Sequence, residues 1–462
     1  MQGNIVFVGA WGAGLSNIVG ILRELGYRNL IGINAERSQI TQQLEQQGIK
    51  VFSHGEYQVK PQDIVIYSSA AKESIEVQEA LRLKQETHTP LLIWDYFEFL
   101  GEMSKYFRTI AFTGTNGKSS SSAMGIFAAN KVLPDFWIGI VWALVPDFGG
   151  KSFLINSQWK ADLQNIFEYI FSGRKLNYDL VKKYYFLLEA CEYERHFLNL
   201  DLEYAIITNL ELEHTDYFTS WNDYELAFLE LVDKVKEKVF TLSTLASEKL
   251  LQHPKMEIVE KQHFDFTYLR GEHQQENASL VFGLLNHLTQ GKKQTELQQD
   301  ICAFKWIRRR MEFLKTTENG AQIFSDYGHV ASSLEVGYQA LREKFPEKKL
   351  ICIFQPHQMH RILVWWDEFP QALQGYDQTF IYDIYAAREK IEDFAHKEIF
   401  KQYHLTSVED LGNIFAQHCW STYLKDFSEV EEVIEKAGED VVIVVYSAGD
   451  IDYHLRTYLG LV

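Results

Sequence analysis

Residues 108–133 read RTIAFTGTNGKSSSSAMGIFAANKVL, and this stretch predicts the fold around it. An apolar run that ends at Phe112 is typical of a buried strand, residues 113–119 contain two glycines, and small residues typical of a helix follow. Glycines at such a turn let backbone N–H groups approach phosphate oxygens, and the helix N-terminus adds partial positive charge. The stretch therefore predicts a strand–turn–helix site for a nucleoside triphosphate.

Lys118 and Ser119 follow the second glycine of this turn. At that spacing the lysine reaches the β- and γ-phosphates, and the serine hydroxyl ligates Mg²⁺. Phe112 replaces the first glycine of the common motif G-x-x-x-x-G-K-[ST], so an ordinary turn before a helix is the alternative. The predicted nucleotide contacts are Gly114, Thr115, Asn116, Gly117, Lys118, Ser119 and Ser120.

The whole chain has 462 residues, enough for about three domains. Its net charge of −18 argues against a nucleic-acid partner. The four cysteines lie far apart without a C-x-x-C pair, which disfavours zinc and disulfides. No basic leader and no apolar run of spanning length is present, so we expect a cytoplasmic protein without membrane insertion, as a monomer or weak dimer.

The first domain, predicted for residues 1–106, opens with a strand at 4–8 and a glycine-rich turn. Further strands are predicted at 29–33 and 63–67, and the last of these runs into Ser68. A glycine-rich turn after the first strand of a βαβ unit is the usual place for a pyrophosphate. A nicotinamide-dependent oxidoreductase is disfavoured, because the glycines run G-x-x-G-x-G and the second strand ends at Asn34 instead of an acid.

The central domain, predicted for residues 107–303, places charged residues after two further strands. A strand at 184–188 delivers Glu189, a position where a carboxylate holds Mg²⁺ beside a phosphate loop, although a solvated acid is the alternative. A strand at 204–208 leads to His214, which stands among acids and is a candidate metal or phosphate ligand. Residues 137–177 give mixed signals and stay unassigned.

The third domain, predicted for residues 304–462, begins with the triple arginine 308–310. Such a cluster is usually solvated, but it can neutralise a phosphoryl group during transfer. Strands at 322–325, 350–354, 379–382 and 441–446 alternate with helical stretches such as 332–344, which predicts a second doubly wound α/β unit.

The motifs in this order resemble those of the Mur ligase family, ATP-dependent ligases that form amide bonds in peptidoglycan precursor synthesis, and most of all its alanine-adding branch. The motifs are NIVFVGAWGAGLS at 4–16, SSA at 68–70, TGTNGKSSSSAM at 113–124, ERHFLNL at 194–200, TNLELEHTD at 208–216, GEHQQENA at 271–278, RRRME at 308–312, DYGH at 326–329, FQPHQMHR at 354–361, DIYAARE at 383–389 and SAGDI at 447–451.

The resemblance implies an α/β protein of three domains. A Rossmann-like N-terminal domain at 1–106 would bind the UDP-sugar, and a P-loop ATPase-like domain at 107–303 would bind ATP and Mg²⁺. A Rossmann-like domain at 304–462 would bring the amino acid and close over the ATP. The implied reaction joins L-alanine to UDP-N-acetylmuramate through an acyl phosphate.

The resemblance also implies roles for individual residues. The implied UDP-sugar contacts are Gly12, Gly14, Ser16 and Ser68; the metal ligands are Ser119, Glu189 and His214; the further ATP contacts are Asn277, Arg310 and Asp326; the amino-acid contacts are His357, Arg361 and Tyr385; and the catalytic residues are Lys118, Glu189, His214, Arg310 and His329. Asn209 would support the site, and His273 would lie in the adenine-contacting stretch.

Departures from the family pattern at Asn116, Val330, Gln358 and Arg388 leave the specificity open. A ligase that recycles murein tripeptides and a degenerate nucleotide-binding regulatory protein are alternatives. Retention of Lys118 with its implied metal ligands argues against the regulatory protein. A folylpolyglutamate synthase-like ligase is disfavoured, because that family lacks the glycine-rich first domain.

Overall fold

The computed structural model describes residues 3–9, 13–34, 45, 48–86, 91–173, 182–215, 217–267, 269, 271–387 and 389–461. It contains three largely parallel sheets, so the predicted α/β class is confirmed. Two compact units divide the chain, Met1–Lys305 with two sheets and Trp306–Val462 with one. The predicted domain boundary near residue 106 stays a prediction.

The first sheet is parallel throughout, in the order β3-β2-β1-β4-β5. Its strands are β1 (Ile5–Val8), β2 (Leu30–Asn34), β3 (Lys50–Ser53), β4 (Ile64–Tyr67) and β5 (Leu92–Asp95), and its helices are α1 (Ala13–Glu24), α2 (Ile75–Glu86) and α3 (Tyr96–Ser104). The all-apolar run of β1 is buried along its whole length, as expected for a strand covered by helices on both faces. The carboxyl ends of β1 and β4 therefore lie side by side at one edge of the sheet.

The second sheet has the order β12-β11-β10-β6-β9-β7-β8 and places the phosphate-binding stretch at its centre. Its strands are β6 (Arg108–Thr113), β7 (Phe136–Val145), β8 (Lys151–Ile155), β9 (Tyr185–Glu189), β10 (Leu202–Ile207), β11 (Lys238–Leu242) and β12 (Met256–Val259). The accompanying helices are α4 (Lys118–Val132), α5 (Lys160–Ser172), α6 (Trp221–Lys234), α7 (Glu248–Leu251), α8 (Glu272–Leu288) and α9 (Gln294–Ala303). β9 and β10 flank β6, so their carboxyl ends border the turn that follows β6.

The unassigned stretch 137–177 contains a β-hairpin and a helix where it is described. β8 runs antiparallel to β7, and left-handed Gly149 (φ 71°) and Gly150 (φ 76°) lie in their connection. The hairpin packs against α1 of the first sheet, where the side-chain amide of Asn17 donates a 2.9 Å hydrogen bond to the Val141 carbonyl. This contact joins the two sheets within one unit.

The second unit holds a sheet in the order β13-β14-β18-β15-β16-β17, in which only β13 is antiparallel. Its strands are β13 (Glu312–Thr316), β14 (Gln322–Asp326), β15 (Lys349–Gln355), β16 (Gln378–Tyr382), β17 (Thr422–Leu424) and β18 (Val441–Ser447). Its helices are α10 (Ala331–Lys344), α11 (Met359–Val364), α12 (Glu368–Leu373), α13 (Glu398–Gln402), α14 (Val408–His418), α15 (Phe427–Glu435) and α16 (Ile451–Tyr458). Apolar clusters on the sheet give this unit its own core. In the parts of the chain that the structure describes, no helix combines the length and apolarity needed to cross a bilayer.

Candidate nucleotide and metal site

The phosphate loop occupies residues 114–117 between β6 and α4, as its sequence predicts. Gly114 (φ 124°) and Gly117 (φ 81°) both have left-handed backbone conformations that favour glycine. A Cβ on Gly114 would come within 2.3 Å of the Thr208 Oγ1, and one on Gly117 within 2.6 Å of the Asn277 Oδ1. Any larger residue would therefore push the loop away from its supports.

The carboxyl end of β10 holds this loop in shape. The carbonyl of Asn209 accepts from the Thr115 N–H at 3.0 Å, and its side-chain oxygen accepts from the Asn116 N–H at 2.7 Å. The Thr208 hydroxyl donates to the Asn116 carbonyl at 2.6 Å. Asn209 thus supports the loop geometrically, while the side chain of Asn116 contacts Glu211 at 3.3 Å.

Lys118 lies at the first position of α4, and its ammonium group contacts three oxygens. It donates to the carbonyls of Gly114 (2.6 Å) and Thr115 (2.9 Å) and to the Glu192 carboxylate (3.0 Å). Burial disfavours the ammonium charge, but the Glu192 and Glu213 carboxylates outweigh that effect and raise the Lys118 pKa. Burial likewise opposes charge on Glu192, yet Lys118 and His214 hold the Glu192 pKa below its ordinary value.

Ser119 and Glu189 meet directly beside the lysine. The Ser119 hydroxyl donates to one Glu189 oxygen at 2.7 Å, and the backbone N–H of Trp142 donates to the other at 2.8 Å. Glu189 is buried at the end of β9, and Ser120 follows on the first turn of α4. The sequence indicated the first pair but gave no sign of Trp142.

His214 meets Glu192, a residue that the sequence analysis did not single out. Its Nε2 lies 3.4 Å from the Glu192 carboxylate, and Glu192, Glu213 and His214 bring donor atoms within 4.8 Å of one another. Glu192 is completely buried, and its second oxygen has no hydrogen-bond partner. A buried, unpaired carboxylate oxygen beside nitrogen and oxygen donors fits a divalent cation such as Mg²⁺.

The predicted adenine-contacting stretch begins α8. Asn277 is buried there and accepts a hydrogen bond from the Ser121 hydroxyl at 3.0 Å, which places it against the phosphate loop. The ring of His273 lies beside Gly271, the residue that precedes α8. Asn277 of the predicted pair therefore contacts the loop region.

Three of the predicted UDP-sugar contacts lie on or beside elements of the first sheet. Ser68 follows β4, and its hydroxyl would be 2.3 Å from a Cβ built on left-handed Gly9 (φ 73°). Gly14 lies on α1 against the Tyr96 ring, and Ser16 follows on the same helix. Gly12 lies outside the described residues.

In the second unit, the arginines 308–310 differ in their surroundings. Arg309 is directed inward, with its guanidinium donating to the Ser447 carbonyl and lying 3.7 Å from the Asp452 carboxylate, whereas Arg310 is exposed. Asp326 accepts from the backbone N–H groups of Met311 (2.7 Å) and Gly328 (2.6 Å). Both oxygens of this predicted ATP contact therefore hold the surrounding backbone.

The predicted amino-acid contacts form a cluster in the same unit. His357 stacks on Tyr385 at 5.5 Å, and the Arg361 guanidinium lies 3.4 Å from the His357 Nδ1. Burial and Arg361 lower the pKa of His357 to about 4 and that of His329 to about 3. Both imidazoles are therefore neutral near pH 7, and Arg388 lies outside the described residues.

Comparisons with known proteins agree with this arrangement. A sequence model of the Mur ligase middle domain matches residues 112–275. A UDP-N-acetylmuramate–L-alanine ligase from Streptococcus mutans is 26% identical over 99% of this chain and 95% of its own length. The crystal structure of a UDP-N-acetylmuramate–alanine ligase from Thermotoga maritima superposes with a TM-score of 0.74 at 20% identity, covering 99% of this chain and 98% of its own. A murein peptide ligase from Psychrobacter arcticus gives a TM-score of 0.63 at 19% identity, covering 100% and 99%. The two structures share the fold of this chain.

Proposed function

We propose that this chain, which matches the Mur ligase middle-domain model over residues 112–275, is an ATP-dependent ligase of that family that joins L-alanine to the lactyl carboxylate of UDP-N-acetylmuramate. The observation that carries the proposal is the cluster of Lys118, Ser119 and Glu189 at the phosphate loop of a chain similar over nearly its whole length to such a ligase. ATP would phosphorylate the carboxylate, and the alanine amine would then displace phosphate to form the amide.

The phosphate loop supplies the donors for the nucleotide. The N–H groups of Thr115 and Asn116 donate to Asn209, so the N-terminus of α4 and the remaining N–H groups of the loop would face the phosphates. Lys118 would provide the charge that offsets the transferring phosphoryl group. Asn277, which lies beside the loop, is a candidate for a contact with the nucleoside. The loop backbone is fixed by Asn209 before the ligand arrives, which lowers the cost of reorganisation during transfer.

Two neighbouring groups are candidates to hold Mg²⁺. Ser119 with Glu189 forms one, and Glu192, Glu213 and His214 form the other. Bound there, the ion would neutralise charge on the phosphate oxygens. Oxygen-rich donors with one imidazole suit this hard cation, and we propose that the buried, unpaired oxygen of Glu192 is one ligand.

The second unit would receive the amino acid. We propose that Arg361 binds the alanine carboxylate beside His357 and Tyr385, since the guanidinium is the permanent cation of that cluster. With a pKa of about 3, His329 is a weak proton acceptor at neutral pH, so its proposed role is hydrogen bonding instead of deprotonation of the amine. Its Nδ1–H already donates to the Tyr327 carbonyl at 3.0 Å.

The test is product formation followed by mass spectrometry. The protein is incubated with ATP, Mg²⁺, UDP-N-acetylmuramate and L-alanine, and the expected product is the UDP-sugar carrying one alanine, formed together with ADP and phosphate. UDP-N-acetylglucosamine, which lacks the lactyl carboxylate, should give no product. Absence of the alanylated product would refute the proposal.

A second candidate is the recycling reaction, in which a preformed murein peptide replaces L-alanine. The fold match to a murein peptide ligase over the full chain favours it. A parallel incubation with the L-alanyl-γ-D-glutamyl-diaminopimelate tripeptide separates the two, because product would arise there and not with alanine.

A further inference from the structure

A continuous series of contacts joins Gly14, in the first turn of α1, to Ser119 beside the predicted phosphate loop. The Tyr96 ring packs against Gly14, where a Cβ would come within 2.7 Å of the ring. The Tyr96 hydroxyl accepts a 3.2 Å hydrogen bond from the indole N–H of Trp142. The backbone N–H of Trp142 donates to Glu189, whose other oxygen accepts from Ser119. Trp142 therefore connects Tyr96 to Glu189, through its indole N–H on one side and its backbone N–H on the other.

Two groups in this series are buried, and Trp142 and Ser119 are half-buried. Tyr96 and Glu189 are buried, and burial raises the Tyr96 pKa, so that its hydroxyl keeps its proton. Phe97 supports the indole edge-on at 6.0 Å and stacks on the His196 imidazole at 3.7 Å. Hydrogen bonds are stronger in such low-dielectric surroundings, so a displacement of the indole would change the position of the Glu189 carboxylate.

A small crevice lies along the same residues. It has a volume of about 10 Å³ and is lined in part by Phe97, Trp142, Glu189 and His196. The Nδ1 atom of His196 is buried there without a hydrogen-bond partner. The volume suits one water molecule or one small substituent, and the unpaired nitrogen gives either of them a polar contact.

We propose that Trp142 is a positioning residue that orients Glu189 in response to the sugar portion of the substrate. The proposal rests on the function proposed above. A substrate whose diphosphate lies at the glycine turn, and whose carboxylate reaches the phosphate loop, spans the interval that the Tyr96 and Trp142 side chains occupy. Sugar binding would thus fix the indole, and through it the carboxylate that faces Ser119.

Two conservative substitutions test this. Both substitutions remove the same hydrogen bond and keep the backbone N–H of residue 142 that donates to Glu189. Tyr96→Phe removes only the hydroxyl acceptor and keeps its ring, whereas Trp142→Phe removes the indole N–H together with the larger ring. Each should lower kcat and weaken Mn²⁺ binding, measured by electron paramagnetic resonance with UDP-N-acetylmuramate present, by about 2- to 10-fold. The double variant should be no worse than Trp142→Phe alone, because Trp142→Phe already lacks the hydrogen bond that Tyr96→Phe removes. The KM for L-alanine should not change.

Trp159→Phe is the matched control. Its indole also donates one hydrogen bond in the same segment, to the Pro134 carbonyl at 3.3 Å, and Glu189 is not its partner. This variant should keep the wild-type metal affinity. Wild-type metal binding in both Phe variants, additive losses, or a lowered melting temperature without a change in metal affinity would each overturn the role of Trp142. A wild-type protein that forms no alanylated product would refute the proposed function instead.

Discussion

At the scale of single residues, the contacts of Lys118 describe what nucleotide binding must change. Its three ammonium hydrogens have three acceptors, two carbonyls of the loop and the carboxylate of Glu192. A phosphate oxygen therefore has to replace one of them. Glu192 is the partner with an alternative, because His214 lies 3.4 Å from the same carboxylate. Glu192 is thus the partner that we expect Lys118 to exchange for phosphate.

The first prediction concerns Lys118→Ala. Loss of a fixed charge at the transferring phosphoryl group should reduce kcat by at least about 100-fold, measured as phosphate release. Lys131→Ala on the same helix is the control, since that lysine makes an exposed ion pair with Asp300 and should leave turnover unchanged. Near-normal turnover in a folded Lys118 variant would contradict the phosphate-loop assignment.

The second prediction concerns the metal. Glu189→Gln, Glu192→Gln and His214→Ala should each raise the Mg²⁺ concentration that gives half-maximal activity. Combining Glu192→Gln with His214→Ala should cost much less than the sum of the single effects, because groups that share one ion act as a unit. Additive losses that do not depend on Mg²⁺ would show that the two residues do not share an ion.

The third prediction is a pH dependence of stability. The Glu192 pKa lies below its ordinary value of 4.5, since Lys118 and His214 outweigh its burial. Its stabilising effect is therefore complete above pH 4.5 and declines as the pH falls through the lowered folded-state value. Glu192→Gln should be destabilised at pH 7, and the difference from wild type, measured by urea unfolding, should shrink below pH 4.5. A constant difference down to pH 3 would contradict the ion pair.

Two residues of the candidate site, Glu192 and Trp142, could not be predicted from the sequence, each for its own reason. Glu192 stands among other acids in the stretch 189–194, and spacing alone does not reveal which of them reaches Lys118. Trp142 contacts Glu189 through its backbone N–H, and a backbone contact cannot be read from a pattern of side chains. Lys118 and Ser119 could be predicted, because the phosphate-loop motif is local and fixes their positions.

At the scale of elements, strands with uniform apolar runs could be predicted and the paired strands β7 and β8 could not. β9 and β10 carry short runs that a parallel sheet buries on both faces. β7 has ten residues that are buried at first and partly exposed towards the end. Its pairing with β9 ends at Ile140, and the carbonyl of the next residue, Val141, accepts a hydrogen bond from Asn17 on α1. Its environment is set by that tertiary contact, which the local pattern does not contain.

The fourth prediction tests that contact. Asn17 is completely buried, donates to the Val141 carbonyl and accepts from the Ser152 hydroxyl. Asn17→Ala should reduce the free energy of unfolding by about 1–3 kcal/mol, because a buried carbonyl and a hydroxyl lose their partner. Asn413→Ala is the control, since its side chain makes only an exposed bond to Glu409 within its own helix. Equal stability of the two variants in thermal unfolding would show that the hairpin does not depend on Asn17.

At the scale of the whole molecule, the second unit by itself has a sheet, helices and a hydrophobic core, as an independent domain does. Residues 306–462 contain a six-stranded sheet with apolar clusters that include Phe354 on one face and Ile353 on the other. Arg456 forms a buried ion-pair network with Glu312 and Asp452 that ties the last helix to the first strand. A unit of this size whose hydrophobic core and buried ion pairs lie within its own residues is expected to fold independently.

The fifth prediction is that the second unit folds without the rest of the chain. A fragment of residues 306–462 should be soluble and should unfold in a single cooperative thermal transition, followed by circular dichroism in the near and far ultraviolet. Arg456→Met should lower its melting temperature strongly, because it removes the cation that makes the shortest contacts with both buried carboxylates and leaves, among the described residues, only Arg309, 3.7 Å from Asp452, and Arg308, 4.0 Å from Glu312. Lys436→Met is the matched control, since that lysine pairs with Glu432 at the exposed surface and should change the melting temperature little. A fragment with helical signal but no near-ultraviolet signal would show that the second unit needs the rest of the chain to pack its core.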